Sequence, residues 1–236
     1  MRAGWNQVST IYRSGHRSDD AFGHTVADHE AWLRPFFRTV ARGSEVLDLG
    51  CGCGTPDALL LSERFRVTGV DISEVQIARA RRRVPRARFV RADMTEVEFR
   101  PGTFGGILCL YALIHVPVDE QPALIARLHD WLRPDGILLL LTGQTAYTGV
   151  EENWLGSNAK MYWSHADAAT YERWLTAAGF DVLRRTPVPE PGSDGHALFL
   201  ARARRRGAAD RAALAELPGG TRAGRPHLPS GRPAPE

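Results

Sequence analysis

The chain has 236 residues, 43% hydrophobic and 24% charged, with a net charge of +3, enough for one α/β domain with its own core. No stretch approaches the roughly 18 uninterrupted apolar residues of a membrane span, MRAGWNQVST lacks a signal-peptide core, and three cysteines make no disulfide framework, so the chain reads as cytoplasmic. The basic charge sits at one end: residues 202–236 hold eight arginines and three acids, a net of +5, which leaves about −2 on residues 1–201.

In chain order, residues 1–24 read as a lid segment ahead of a domain at 25–202. TVADHEAWLRPFFRTVA (25–41) predicts a helix with a bend or break at Pro35. EVLDLG is a first strand, followed by a glycine loop. PDALLLSER (56–64) is a helix with Pro56 in its first turn, and FRVTGVD is a second strand. Ser73 caps the next helix, SEVQIARARRRV, and Gln76 completes a capping-box pattern. RARFVRAD and GGILCLYA are the third and fourth strands. Residues 119–132 place Leu124, Ile125, Leu128, Trp131 and Leu132 on one helical face. RPDG is a turn and GILLLLT a fully apolar fifth strand. Residues 143–166 read as a long irregular insert, the kind of loop that carries function, with Ser164 as one possible cap for the helix that follows. That helix ends at Gly179. FDVLRRTPV and HALFLARA, joined by PEPGSDG, close the domain as a hairpin. Strands alternating with helices predict a Rossmann-like, doubly wound α/β sheet, mostly parallel, with the antiparallel hairpin added. Residues 203–236, rich in Arg, Pro and Gly, have too few large apolar residues to bury and read as a disordered tail. Arg79, Arg81, Arg82, Arg83, Arg86 and Arg88 read as a solvated face rather than an RNA-binding patch.

VLDLGCGCGTP (46–56) brings the backbone close to something. A dinucleotide loop follows G-x-G-x-x-G, but here the third glycine, Gly54, falls one residue early. Asp48 stands two residues before Gly50, where it would oppose a pyrophosphate and welcome an ammonium. Cys51 and Cys53 lack the spacing and neighbours of a metal site; they read as small side chains in a tight turn, and Cys109 as core.

D-x-G-x-G-x-G after a first strand resembles the signature of class I S-adenosylmethionine-dependent methyltransferases. The similarity continues through Asp71 at the end of the second strand, Asp93-Met94 at the end of the third, GGILCLYALIHVP, and RLHDWLRPDGILLL in place of the family's L-x-P-G-G turn, over about residues 28–202. It implies S-adenosylmethionine as cofactor, with S-adenosylhomocysteine as product. Asp48 would anchor the ammonium directly or through water, and Gly50, Cys51 and Gly52 would flank the methionine portion. Asp71 would take the ribose hydroxyls with Ile72 and Gln76 nearby, and Asp93, Met94 and Leu110 would surround the adenine.

A methyl acceptor needs positioning and, for a neutral oxygen or nitrogen, a base. His115, in a His-x-Pro that resembles the family's active-site mouth, is either a substrate-facing base or a support for its loop or the cofactor. His165 and Tyr162 are the next candidates. Tyr12 resembles a lid tyrosine but lacks the following Asp; Arg13 stands there. Trp5, Tyr111, Trp154, Met161 and Trp163 would enclose a flat substrate or else plug the open end of the sheet. The general resemblance is to the ubiquinone/menaquinone-type small-molecule branch. MYWSH…AGF…DGH is similar to a bacterial natural-product subgroup that includes indole methyltransferases, where His or Tyr would deprotonate the ring nitrogen. The rival readings are an RNA or protein methyltransferase using the basic tail, against which Leu110-Tyr111-Ala112-Leu113 stands where an N-P-P-Y tetrapeptide would, and a non-catalytic cofactor-binding protein. The partner expected is a small molecule, without membrane, metal or nucleic acid, on a monomer or homodimer.

Overall fold

A computed structural model describes residues 1–15, 23–190 and 192–205. Most of the expected tail and part of the lid segment lie outside the described residues. Seven strands form one sheet in the order β3-β2-β1-β4-β5-β9-β8. Five of them are parallel: β1 (Glu45–Leu49), β2 (Arg66–Asp71), β3 (Arg88–Arg91), β4 (Phe104–Cys109) and β5 (Leu132–Gly143). β9 (His196–Ala203) is antiparallel to β5, and β8 (Phe180–Val188) is antiparallel to β9. The strand order reverses at β1/β4, so a crevice opens at the carboxyl ends of those strands. Two apolar clusters cover the two faces. One is built on Leu47, Ile107, Leu138 and Trp131, the other on Val46, Leu108, Leu139 and Phe36. Alternate residues of each strand serve opposite faces, as a doubly covered sheet requires.

Six local expectations change. The helix α2 (Val26–Thr39) runs through Pro35, because the only donor lost is one backbone N–H and Thr25 and Asp28 form a full capping box at its start. Pro56 caps α3 (Asp57–Ser62) and is not in its first turn. β5 begins at Leu132, and RPDG is an irregularity within it, with Asp135 at φ 65°. The insert is an ordered ribbon of β6 (Tyr147–Glu151) and β7 (Met161–His165). Ser164 lies within β7, bonded to the Val118 N–H at 3.0 Å, and Asp167 caps α6 (Ala168–Ala177). Ser73 caps α4 (Glu74–Arg83) through the Gln76 N–H, but the Gln76 side chain completes no box; its Oε1 accepts from Ser9 Oγ at 2.6 Å.

That last bond belongs to a larger attachment. The first helix, α1 (Arg2–Tyr12), lies on α4. Asn6 reaches Glu74 at 2.7 Å and accepts from Ser73 Oγ at 2.6 Å. Arg79, expected on a solvated face, is 6% exposed and donates to Ser9 Oγ at 2.7 Å and to the carbonyls of Ser9 and Arg13. Arg83 donates to the Ser14 carbonyl at 2.8 Å and to Cys53 Sγ at 2.8 Å. These guanidinium groups clamp the end of α1, where the chain has just run out of helical hydrogen bonds. Arg79→Ala should therefore release α1 selectively. Hydrogen exchange of the α1 amides should accelerate by about tenfold or more, while β1 and β4 amides keep their protection.

Candidate active site

The glycine loop sits at the switch point, and its N–H groups are already used. Gly50 and Cys51 donate to the Val70 carbonyl at 2.8 and 2.9 Å, and Gly54 donates to the Cys51 carbonyl at 3.0 Å. Gly52 donates to Asp71 Oδ2 at 2.9 Å. Those four amides are not turned outward to cradle a phosphate. All three glycines have positive φ, for different reasons. A Cβ on Gly50 would come within 2.1 Å of Ala112 Cβ, so this glycine admits the β4 loop. Gly54 admits α4, with Ala80 at 3.2 Å. A Cβ on Gly52 would meet only Gln76 Nε2, at 3.8 Å, an ordinary contact.

A cavity of about 480 Å³ extends from this loop. Nine of the ten residues expected to hold the cofactor line it: Gly50, Cys51, Gly52, Asp71, Ile72, Gln76, Asp93, Met94 and Leu110. Asp48 does not. It lies beneath the loop, 3% exposed, and its Oδ2 has no hydrogen-bond partner. The direct route expected for it does not fit this placement. Burial, then Asp57 and Asp71, push its carboxyl well above the ordinary range. A buried acceptor in that state calls for a donor or a positive charge nearby. His29 adds a second such atom. It pairs with Asp57 through Nδ1 at 2.8 Å, its buried Nε2 is unpartnered, and both residues line the cavity. Asp71 also accepts from the Ser73 N–H at 2.8 Å, yet burial still raises it to about 6. Asp93 Oδ1 is occupied by Thr95.

A second cavity, about 640 Å³, opens on the ribbon side. Trp5, Tyr12, Tyr111 and His115 line both cavities and form the wall between them. Tyr111 holds φ 54°, a costly conformation for a bulky residue, and its hydroxyl lies 3.4 Å from His24. Trp154, Trp163 and His165 line the second cavity, and Tyr162 lines the first. The rings meet mostly edge to face: Trp5 and Trp154 at 5.4 Å, Trp154 and Trp163 at 5.6 Å, Trp5 and His115 at 5.4 Å. Met161, expected against the substrate, lines neither cavity. It is fully buried between Val8, Trp154 and Ala159, close under Gly4, where it anchors α1.

His115 Nδ1 lies 2.9 Å from the Tyr162 carbonyl. A carbonyl only accepts, so Nδ1 carries the hydrogen and Nε2 keeps its lone pair. Burial lowers this imidazole to about 4 despite that bond. His165 makes the same kind of bond to the Thr145 carbonyl at 2.8 Å, and a Cβ on Gly143 would strike its ring at 1.9 Å. The sequence reading missed Glu190, Asp194 and His196 in the second cavity. Their segment, PEPGSDGH, reads as turn chemistry, and Asp194 and His196 enter the sequence reading only through DGH in the subgroup pattern, without a site role. Among the described residues no group of three or more His, Cys, Asp or Glu could hold a metal ion, and no helix is long and apolar enough to cross a membrane.

The histidine environment fixes a pH response. His115 takes up its proton near pH 4 when folded but near its ordinary value of 6.5 when unfolded. The unfolded chain therefore binds more protons between those values, and stability falls as pH drops through that window. His115→Gln removes this penalty. In urea unfolding, the stability of the wild type relative to that variant should decline steadily from pH 7 to pH 4.5.

Comparison with known proteins agrees with this geometry. Residues 46–136 match the methyltransferase domain family. Trans-aconitate 2-methyltransferase of Paracidovorax citrulli is 38% identical over 115 residues, 45% of this chain and 44% of that one. The chain spans about two-fifths of the length of the first curated relatives it matches. A SAM-dependent methyltransferase of Methanosarcina mazei shares the fold with a TM-score of 0.64 at 18% identity, over 73% of this chain and 98% of that one. The 1,6-didemethyltoxoflavin-N1-methyltransferase of Burkholderia thailandensis, solved with 1,6-didemethyltoxoflavin and S-adenosylhomocysteine, has a TM-score of 0.57 at 28% identity, over 76% and 81%. Residues 46–136 thus resemble a methyltransferase domain, and the sheet that contains them shares the fold of the Methanosarcina mazei structure.

Proposed function

We propose that the protein transfers a methyl group from S-adenosylmethionine to a small, flat aromatic or heteroaromatic metabolite of the natural-product type, with an indole among the candidates. The observation that carries this reading is the pair of cavities divided by Trp5, Tyr12, Tyr111 and His115. One has the glycine loop and two strand-end acids, the other has aromatic walls. The didemethyltoxoflavin enzyme, whose solved ligand is itself a flat heteroaromatic, supports the same substrate class.

The cofactor supplies an electrophilic methyl on a sulfonium. The chain's own residues do the rest. Asp71 holds the ribose while pinning the loop through Gly52, and Asp93 and Met94 frame the adenine. Gly52 brings the backbone close to the methionine portion, and Asp48, whose buried carboxyl is pushed well up, would regain its charge beside a cation above it. Trp5, Trp154 and Trp163 exclude water and fix the plane of the acceptor. His115, held by the Tyr162 carbonyl, keeps Nε2 for a proton released as the acceptor is methylated.

Calorimetry with S-adenosylhomocysteine and a methyl-transfer screen over flat aromatic compounds test this reading. Asp71→Asn should weaken S-adenosylhomocysteine by about tenfold to a hundredfold, as expected when a charged hydrogen-bond acceptor is lost. His115→Gln should lower kcat by about a hundredfold or more and leave S-adenosylhomocysteine affinity within about threefold of the wild type. Because His115 titrates near 4, kcat/KM should show no loss from this residue between pH 8 and pH 5 and should fall only below that. Undiminished binding in Asp71→Asn, or an inflection near pH 6.5 removed by His115→Gln, overturns the assignments.

A further inference from the structure

The second cavity has a charge character that its aromatic walls do not explain. It is lined by Glu151, Glu190 and Asp194, and among the described residues by no lysine or arginine. Glu190 is the unusual member. Its side chain is 11% exposed, yet among the described residues no lysine or arginine pairs with it. Its neighbours are Ser193, whose hydroxyl donates at 2.9 Å, and His196, whose Nδ1 lies 3.5 Å away. A carboxylate buried to that extent is normally balanced by a cation or by several donors. His196 does not balance it, since burial, with His165 and His24, holds that ring near 4 and therefore neutral.

Two further atoms show that the wall is incomplete. His196 Nδ1 and Trp163 Nε1 are buried without hydrogen-bond partners, and both residues line this cavity. The loop carrying Glu190 is also tied in place. Asp194 accepts from Thr145 Oγ1 at 2.9 Å, and the Gly195 carbonyl accepts from the Gln144 N–H at 3.2 Å, so the β8–β9 loop is fastened to the entry of the ribbon. A fixed carboxylate inside an aromatic cavity is suited to a donor that arrives with the ligand.

We propose that Glu190 is the specificity-determining residue of the second cavity, and that it selects a flat ring bearing a nitrogen donor, an ammonium or a ring N–H, and rejects ring systems bearing a carboxylate. The inference rests on the aromatic-acceptor reading above. In outline, the donor sits against Glu190 and the ring lies among Trp5, Trp154 and Trp163, which also favour a cation by their π faces. An anion would meet three carboxylates and no compensating charge.

The test is calorimetry on the full chain saturated with S-adenosylhomocysteine, with tryptamine, indole and indole-3-acetate as probes that share one ring and differ in charge. Tryptamine should bind at least about tenfold more tightly than indole-3-acetate, the gap expected for one hydrogen bond to a charged group, with indole between them if its ring N–H also engages Glu190. In Glu190→Gln, checked for an unchanged melting temperature, the gap should shrink to within about threefold, through weaker tryptamine and stronger indole-3-acetate. Equal or tighter binding of indole-3-acetate by the wild type overturns the proposal without any variant, and so does a gap that survives Glu190→Gln. If no probe binds while S-adenosylhomocysteine does, the aromatic-acceptor reading fails and the inference with it. If the probes bind without regard to charge, only the inference fails.

Discussion

The carboxylate of Asp71 links the parts on which the site depends. It accepts from the Gly52 N–H through one oxygen and from the Ser73 N–H through the other. The first bond holds the glycine loop in the crevice. The second sets the start of α4, where Ser73 caps the helix and also donates to Asn6. From there Gln76, Arg79 and Arg83 fix α1, and α1 contributes Trp5 and Tyr12 to the wall between the cavities. Placement of an acceptor's wall thus traces back, bond by bond, to the residue that would hold the ribose. The cost is visible in the same group: burial raises Asp71 to about 6 although the backbone N–H groups of Ser73, Gly52 and Ile72 all lower it, so these donors do not fully offset desolvation.

This chain of bonds explains which features were legible in the sequence. The parallel core was legible because its strands are buried on both faces and read as apolar runs ending in Asp48, Asp71 and Asp93. The helix cap at Ser73 was legible because capping is local. Arg79 and Gln76 were misread because their partners lie on α1, more than sixty residues away. An arginine on an amphipathic helix looks solvated until another helix covers it. The insert at 143–166 looked irregular because its alternation is broken by Gly149 and by aromatic residues on both faces. The ribbon is held from outside, by Ser164 against Val118 and by Gln121 against the Ser164 carbonyl. Glu190 and Asp194 sat in a segment whose glycines and prolines predict a turn, and only the seating of β9 beside β5 brings that turn to the cavity.

The acids around the first cavity make it suited to positive charge. Asp48 in β1 lies beneath the glycine loop and Asp71 at the end of β2 lies beside it, and the loop's amides are spent on Val70, Cys51 and Asp71, so the field there is set by carboxyl groups and not by free N–H dipoles. Two buried acids near each other and near Asp57 cannot all ionise cheaply. A bound cation relieves that conflict, whereas a pyrophosphate would deepen it. The early third glycine and the acid before the loop are thus one design: the tight turn uses up its own donors and leaves an electronegative floor.

The same electrostatics limit what His115 can do. An imidazole held near 4 is too weak a base to take the ring proton of a neutral indole before methyl transfer, so the expectation that it first strips such a proton does not fit its environment. A base is effective when its pKa approaches that of the proton it receives at the moment of reaction. Methylation of a neutral ring carbon or nitrogen would create a cation whose proton is strongly acidic, and even a weakly basic imidazole could accept that proton. Burial, which makes the ring a poor base toward the substrate, also keeps it unprotonated and ready at neutral pH. Under the proposed reading, His115 would accept a proton only after methyl transfer has made it acidic, and nucleophilicity would come from the acceptor itself.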